Sequence, residues 1–186
     1  MDLSLEIINK LSQITNEISR NIPPIIKWVY RKNHHLTLKF IGNLKSADIE
    51  PVQNYLINKI AGISRFSITV SGLGIFPSLS RPRVIWIGIE ESPDLLKVFQ
   101  AIESATAAIG YSKEKRPFSP HITLGRVRRY YKPNEIKDLK KFFMNYKTGK
   151  IGEQEFKELI LYRSILKSIG PTYTKIFSIV IKPIST

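Results

Sequence analysis

Runs of alternating apolar and polar residues come in adjacent pairs along this chain, set apart by segments of helical periodicity. In RFSITVSGLGIFP (65–77), Phe66, Ile68 and Val70 alternate with polar residues, and RPRVIWIGIE (81–90) follows at once. A second pair, QEFKELILYRSIL (154–166) and YTKIFSIVIKP (173–183), lies near the C-terminus. Period-two runs this close together predict hairpins rather than parallel strands with helical crossovers. Leu3, Ile7, Leu11, Ile14 and Ile18 recur at three- and four-residue spacing and predict a helix from about Asp2 to Arg20. IPPIIKWVY ends it, because two prolines cannot continue a helix. Lys27 to Phe40 reads as one or two strands. SADIEPVQNYLINKIAG (46–62) reads as a helix with Ser46 as N-cap and Gly62 as stop. Helices opened by Ser92-Pro93 and Lys132-Pro133 follow, with a strand over FSPHITLGRV (118–127) between them. The expected fold class is α+β: two antiparallel sheets flanked by helices.

Size and charge narrow the function classes. The 186 residues fit one domain, 1–186, perceived as two intertwined lobes, and 42% apolar content is enough for a packed core. Lys and Arg number 29 against 15 acidic residues, a net charge of +14 that favours polyanionic partners such as RNA, DNA or phosphorylated small molecules. The absence of cysteine excludes disulfides, thiol catalysis and Cys-based zinc sites. No apolar run approaches the roughly 20 residues of a membrane span. MDLSLEIINKL lacks the basic start and continuous apolar stretch of a signal peptide. A soluble, cytoplasmic monomer is expected.

The chain has three histidines, and two begin the same phrase: His35-Leu36-Thr37-Leu38 and His121-Ile122-Thr123-Leu124. On a strand, His and Thr share one face while the two apolar residues anchor the other. His34 does not fit the pattern and is expected to be structural or a minor contact. Metal binding suits these residues poorly, since the partner is Thr and no acidic residue lies near either phrase. No Gly-x-Ser-x-Gly turn marks a serine hydrolase. Acid-base chemistry fits. One imidazole can accept a proton while the other donates one, as displacement at a phosphodiester requires. The threonine hydroxyls can donate to the non-bridging phosphate oxygens.

With these phrases the sequence resembles the two-histidine phosphoesterases, and among them the RNA 2′,3′-cyclic phosphodiesterases historically named 2′-5′ RNA ligases. The similarity extends to NHHLTLKFIGNL, GLGIFPSLSRPRVIWIGIE, PFSPHITLGRV and SILKSIGPTYTKI, an ordered set covering most of the chain. The resemblance implies a bilobal fold with pseudo-two-fold symmetry about a central cleft lined by both motifs. It implies hydrolysis of a terminal 2′,3′-cyclic phosphate on RNA, with tRNA-derived RNA a candidate substrate, to a 2′-phosphate, with no metal and no cofactor. Carried over, His35 is the proton donor and His121 the proton acceptor. Thr37 and Thr123 bind the phosphate, and Arg126 is a further phosphate contact. Strict alternation from His121 turns Arg126 to the opposite face, so its role requires a bulge or a strand end. Phe76 and Tyr130 are candidates to stack on a terminal base; Trp28 and Trp86 are expected in the core. Family members usually carry a strand just before the first helix, whereas this chain opens almost directly in that helix. The alternatives are a 2′-5′ RNA ligase, a nucleotide cyclic phosphodiesterase, or a non-catalytic RNA-binding module.

Overall fold

The structure is a computed structural model that describes residues 1–167 and 170–183. Its elements in chain order are α1 (Leu5–Asn21), β1 (Ile26–Trp28), α2 (Ile49–Ile60), β2 (Phe66–Ser78) and β3 (Arg81–Ile89). They continue as α3 (Pro93–Ala108), β4 (His121–Val127), α4 (Pro133–Asn145), β5 (Lys150–Phe156), β6 (Glu158–Lys167) and β7 (Gly170–Val180). The α+β expectation holds. Five strands form one sheet in the order β1-β4-β3-β2-β5, and β6 pairs with β7 in a second. All strand pairs are antiparallel. No helix among the described residues is long and apolar enough to cross a membrane.

Local chemistry sets the helix ends. The Ser4 hydroxyl accepts the Ile7 N–H at the start of α1, and the Ser92 hydroxyl accepts the Leu95 N–H at the start of α3, where Pro93 occupies the first turn. α1 buries Ile7, Leu11 and Ile18 completely, each worth about 1.5–3 kcal/mol of transfer free energy. A Cβ on Gly152 of β5 would lie 2.9 Å from the Ile7 side chain, so the missing side chain lets α1 approach the sheet. The five-stranded sheet buries Ile68, Val70, Ile85, Ile87, Ile122 and Leu124 on one face.

Four expectations are corrected. The run 27–40 is not a pair of strands: β1 stops at Trp28, a 3-10 turn spans Arg31–Asn33, and His35 makes only an isolated bridge to Asp2. The backbone there pairs with the chain start instead, since the Leu36 N–H donates to the Met1 carbonyl and the Met1 amine donates to the Leu36 carbonyl. Residues 154–166 divide between two sheets, because the chain leaves β5 at Phe156 and enters β6 at Glu158. Ser46 opens a 3-10 turn rather than α2, which begins at Ile49. Trp86, expected in the core, lies on the opposite face of β3 from buried Ile85 and Ile87, whereas Trp28 does pack against the core. Ser168 and Ile169, within the C-terminal segment of the resemblance, lie outside the described residues.

Candidate active site

β4 carries one half of the site. Ile122 and Leu124 are fully buried, while His121 and Thr123 are partly open on the other face. The β3–β4 register supplies the irregularity that Arg126 needs. Trp86 stands opposite Thr123, but Ile85 stands opposite Gly125, which leaves Leu124 as an extra residue in β4. That bulge shifts the alternation by one, and exposed Arg126 falls on the His121–Thr123 face. Gly125 fits there because a Cβ would meet Ile26 at 2.6 Å and Trp28 at 2.9 Å.

Aromatic rings wall the His121 half. Phe76 is edge-on to the imidazole at 5.0 Å and packs on Trp86 at 4.8 Å, and Trp86 lies 6.0 Å from His121. The indole sits over Gly74, where a Cβ would come within 2.0 Å of it. The buried indole N–H of Trp86 has no hydrogen-bond partner among the described residues.

The other half surrounds His35. Leu36 is fully buried and Leu38 packs against the core, while His35 and Thr37 are half-buried. Both line a cavity of about 440 Å³ together with Arg163, Ser164 and Tyr173. His121 is not among its lining residues. Tyr173 of β7 is edge-on to His35 at 4.8 Å. Burial pushes the Tyr173 hydroxyl pKa up, and the positive charge of Arg126 pulls it down. The guanidinium from the His121 strand is therefore felt at the residue that touches His35. The Tyr162 hydroxyl donates to the Asp2 carboxylate at 2.9 Å, and Asp2 bridges to His35, which ties this histidine to β6.

The two histidines share one local device. His35 Nδ1 lies 2.7 Å from the Asn33 carbonyl oxygen, and His121 Nδ1 lies 2.7 Å from the Ser119 carbonyl oxygen. A carbonyl can only accept, so Nδ1–H is the donor in both rings and Nε2 is the nitrogen left for chemistry. Burial pushes the His35 pKa down; the Asn33 carbonyl and the Asp2 charge oppose this in part.

His34 stands apart. It is 5% exposed and neither ring nitrogen has a hydrogen-bond partner among the described residues. Tyr130 is 82% exposed beneath the Arg129 guanidinium, and no ring contact or hydrogen bond among the described residues joins it to either histidine. The sequence patterns point to no role for Tyr173, although the residue stands in the Gly-Pro-x-Tyr segment at 170–173. Nor do they point to the buried Lys39–Glu103 ion pair at 2.6 Å, which fastens the segment after Thr37 to α3. No group of three or more His, Asp or Glu side chains placed to hold a metal ion occurs among the described residues.

Comparison with known proteins agrees with this duplicated layout. The model of the LigT-like phosphoesterases matches residues 2–86 and again residues 87–173, so each match holds one His-x-Thr phrase. A protein of Aquifex aeolicus strain VF5 named RNA 2′,3′-cyclic phosphodiesterase is 34% identical over 172 residues, covering 88% of this chain and 89% of its own. Its namesake from Aeropyrum pernix is 31% identical, over 92% of this chain and 95% of its own. The fold matches the crystal structure of E. coli LigT in apo form with a TM-score of 0.77 and 23% identity, over 98% of this chain and 94% of that one. The chain belongs to the LigT-like phosphoesterase family and is a phosphodiesterase.

Proposed function

We propose that the protein opens the terminal 2′,3′-cyclic phosphate of an RNA strand and leaves a 2′-phosphate. The observation that carries this reading is the paired Nδ1–carbonyl geometry, which frees Nε2 of both His35 and His121. In the proposed reaction His121 Nε2 takes a proton from water, and the water oxygen attacks phosphorus. The bond from phosphorus to the 3′ oxygen breaks, and His35 Nε2–H delivers its proton to that oxygen. The products are a 2′-phosphate monoester and a free 3′-hydroxyl. Thr37 and Thr123 donate to the non-bridging oxygens, and Arg126 balances their charge. Each proton transfer contributes a factor of roughly 10² to 10⁴. Burial disfavours protonated His35 in the free enzyme. The phosphate brings a negative charge to the ring, which restores the protonated form that an acid needs.

The test is an RNA oligonucleotide ending in 2′,3′-cyclic phosphate, incubated with the protein and EDTA. A 2′-phosphate product and a bell-shaped pH profile are expected. His35→Ala and His121→Ala should each lose several orders of magnitude in kcat while remaining folded. Loss of wild-type activity in EDTA would overturn the metal-free scheme, and little loss in either variant would overturn the acid-base scheme.

The lowered His35 pKa favours a second reading with the histidine roles exchanged. A substrate whose bridging 3′ oxygen is replaced by sulfur separates the two, because a thiolate leaves without a proton. It should rescue His35→Ala and not His121→Ala; the reverse pattern would establish the exchanged roles.

A further inference from the structure

Beyond the bulge, β4 continues in the same direction with a residue that the reaction does not use. The Arg128 N–H donates to the Ile25 carbonyl at 2.8 Å, so backbone pairing extends one residue past Val127. Alternation from Arg126 brings Arg128 to the same face, and the side chain is exposed. Two residues advance a strand by about 6.6 Å, on the order of one nucleotide step along a single strand. Arg81 and Arg83 open β3, whose Val84 is paired with Arg126; Arg81 is paired with Ser78 and shares the Val84 face, and exposed Arg83 is the extra residue where the register shifts between Phe76 and Pro77. Arg81, Arg83, Arg126 and Arg128 make no ion pair among the described residues. Neither β2, β3 nor β4 contains an Asp or Glu, so no carboxylate in these strands competes for the four guanidinium groups.

We propose that Arg128, with Arg81 and Arg83 beside it, forms a second anion site that holds the internucleotide phosphate on the 5′ side of the terminal nucleotide. The inference rests on the reading of an RNA end as substrate and deepens it. The chemistry at phosphorus needs one phosphate, which Thr37, Thr123 and Arg126 serve. A second row of unpaired guanidinium groups one step along the strand has no use for a cyclic mononucleotide. It selects a polynucleotide end over a free nucleoside cyclic phosphate.

The experiment compares kcat/KM for an RNA oligonucleotide ending in 2′,3′-cyclic phosphate with that for adenosine 2′,3′-cyclic phosphate. The proteins are the wild type, Arg128→Gln and Arg81→Gln/Arg83→Gln. Each variant should lose about five- to tenfold on the oligonucleotide, chiefly through KM, and stay within about twofold of wild type on the mononucleotide. For Arg128→Gln, the slope of log(kcat/KM) against log salt should flatten by about 0.7 on the oligonucleotide. Equal losses on both substrates, or no loss on the oligonucleotide, would overturn the second site. Binding of an oligonucleotide ending in 2′-phosphate, followed by fluorescence anisotropy, tests the site without catalysis. Unchanged affinity in Arg128→Gln refutes the site even if the wild type opens cyclic phosphates. Weakened affinity with no wild-type turnover sustains the site and refutes the reaction.

Discussion

Replacing His34 by leucine should stabilise the protein, and the gain should grow as the pH falls. The ring is 5% exposed and neither nitrogen has a hydrogen-bond partner among the described residues. Burial, with a smaller contribution from His35, lowers its pKa from 6.5 to about 4. The unfolded chain therefore takes up a proton near pH 6.5, while the folded chain resists until about pH 4. Stability on this account is complete above the unfolded value and is lost as the pH falls between the two. At 1.36 kcal/mol per pH unit the loss reaches about 3 kcal/mol. Even at pH 8, two unpaired buried nitrogens cost about 1–3 kcal/mol, and leucine has a similar volume without them. Urea unfolding from pH 8 to pH 4.5 gives the comparison. Carboxylates that titrate in both proteins cancel in the difference between the curves, which isolates the histidine. His34→Leu should be about 1–3 kcal/mol more stable at pH 8, with the gap widening by up to about 3 kcal/mol toward pH 4.5. Turnover should survive, since His34 has no part in the proposed chemistry. Parallel curves, or a variant weaker than wild type at pH 8, would refute the reasoning.

Lys39 and Glu103 are only 5% and 8% exposed at their side chains, and Glu103 also accepts the Glu114 N–H. Lys39→Met should cost about 3–5 kcal/mol by leaving a buried carboxylate without its cation, and Lys39→Met/Glu103→Leu should recover much of it in thermal melts. Equal melting temperatures for the single and double variants would refute this. Gly74→Ala places a methyl carbon within 2.0 Å of the Trp86 ring. The indole should swing off the sheet toward His121, with a shift in tryptophan emission, about 1–3 kcal/mol of lost stability, and a lower kcat. Unchanged emission and kcat would show that the indole does not support the histidine. Phe76→Ala removes the ring edge-on to His121 at 5.0 Å and should lower kcat more than it raises KM; a pure KM effect would assign Phe76 to substrate stacking instead.

The candidate site is legible in sequence wherever alternation alone decides the outcome. His121 and Thr123 face away from Ile122 and Leu124 because successive residues of a strand oppose each other. The same rule puts Trp86 opposite Ile85 and Ile87, yet its large apolar ring argues for the core. Period and composition conflict there, and period prevails because Gly74 leaves room for the indole on the other face. Arg126 shows the complementary case. Its placement depends on Leu124 being an extra residue against β3, and a bulge is a matter of register between two strands rather than of either sequence. The strand expected over Lys27–Phe40 fails for a similar reason. A period-two pattern reports which residues are buried, but pairing needs a neighbour, and here the neighbour is the short stretch from Met1.

What the two histidine phrases have in common is therefore not a strand. His121 begins β4, while His35 is held by one bridge and by the side chains around it. Their surroundings upstream also differ, Asn33-His34 in one case and Ser119-Pro120 in the other. Both rings nevertheless bond the carbonyl two residues back at 2.7 Å. A carbonyl is available at every position, so this contact constrains the backbone path and leaves the side chains at those two positions free to vary. It leaves no trace in composition or periodicity, although it fixes which nitrogen of each ring is left free of the backbone. The repeated phrase encodes the half-buried imidazole, the half-buried hydroxyl and the apolar anchors between them. The tautomer that the proposed reaction requires is supplied by the chain's own peptide groups.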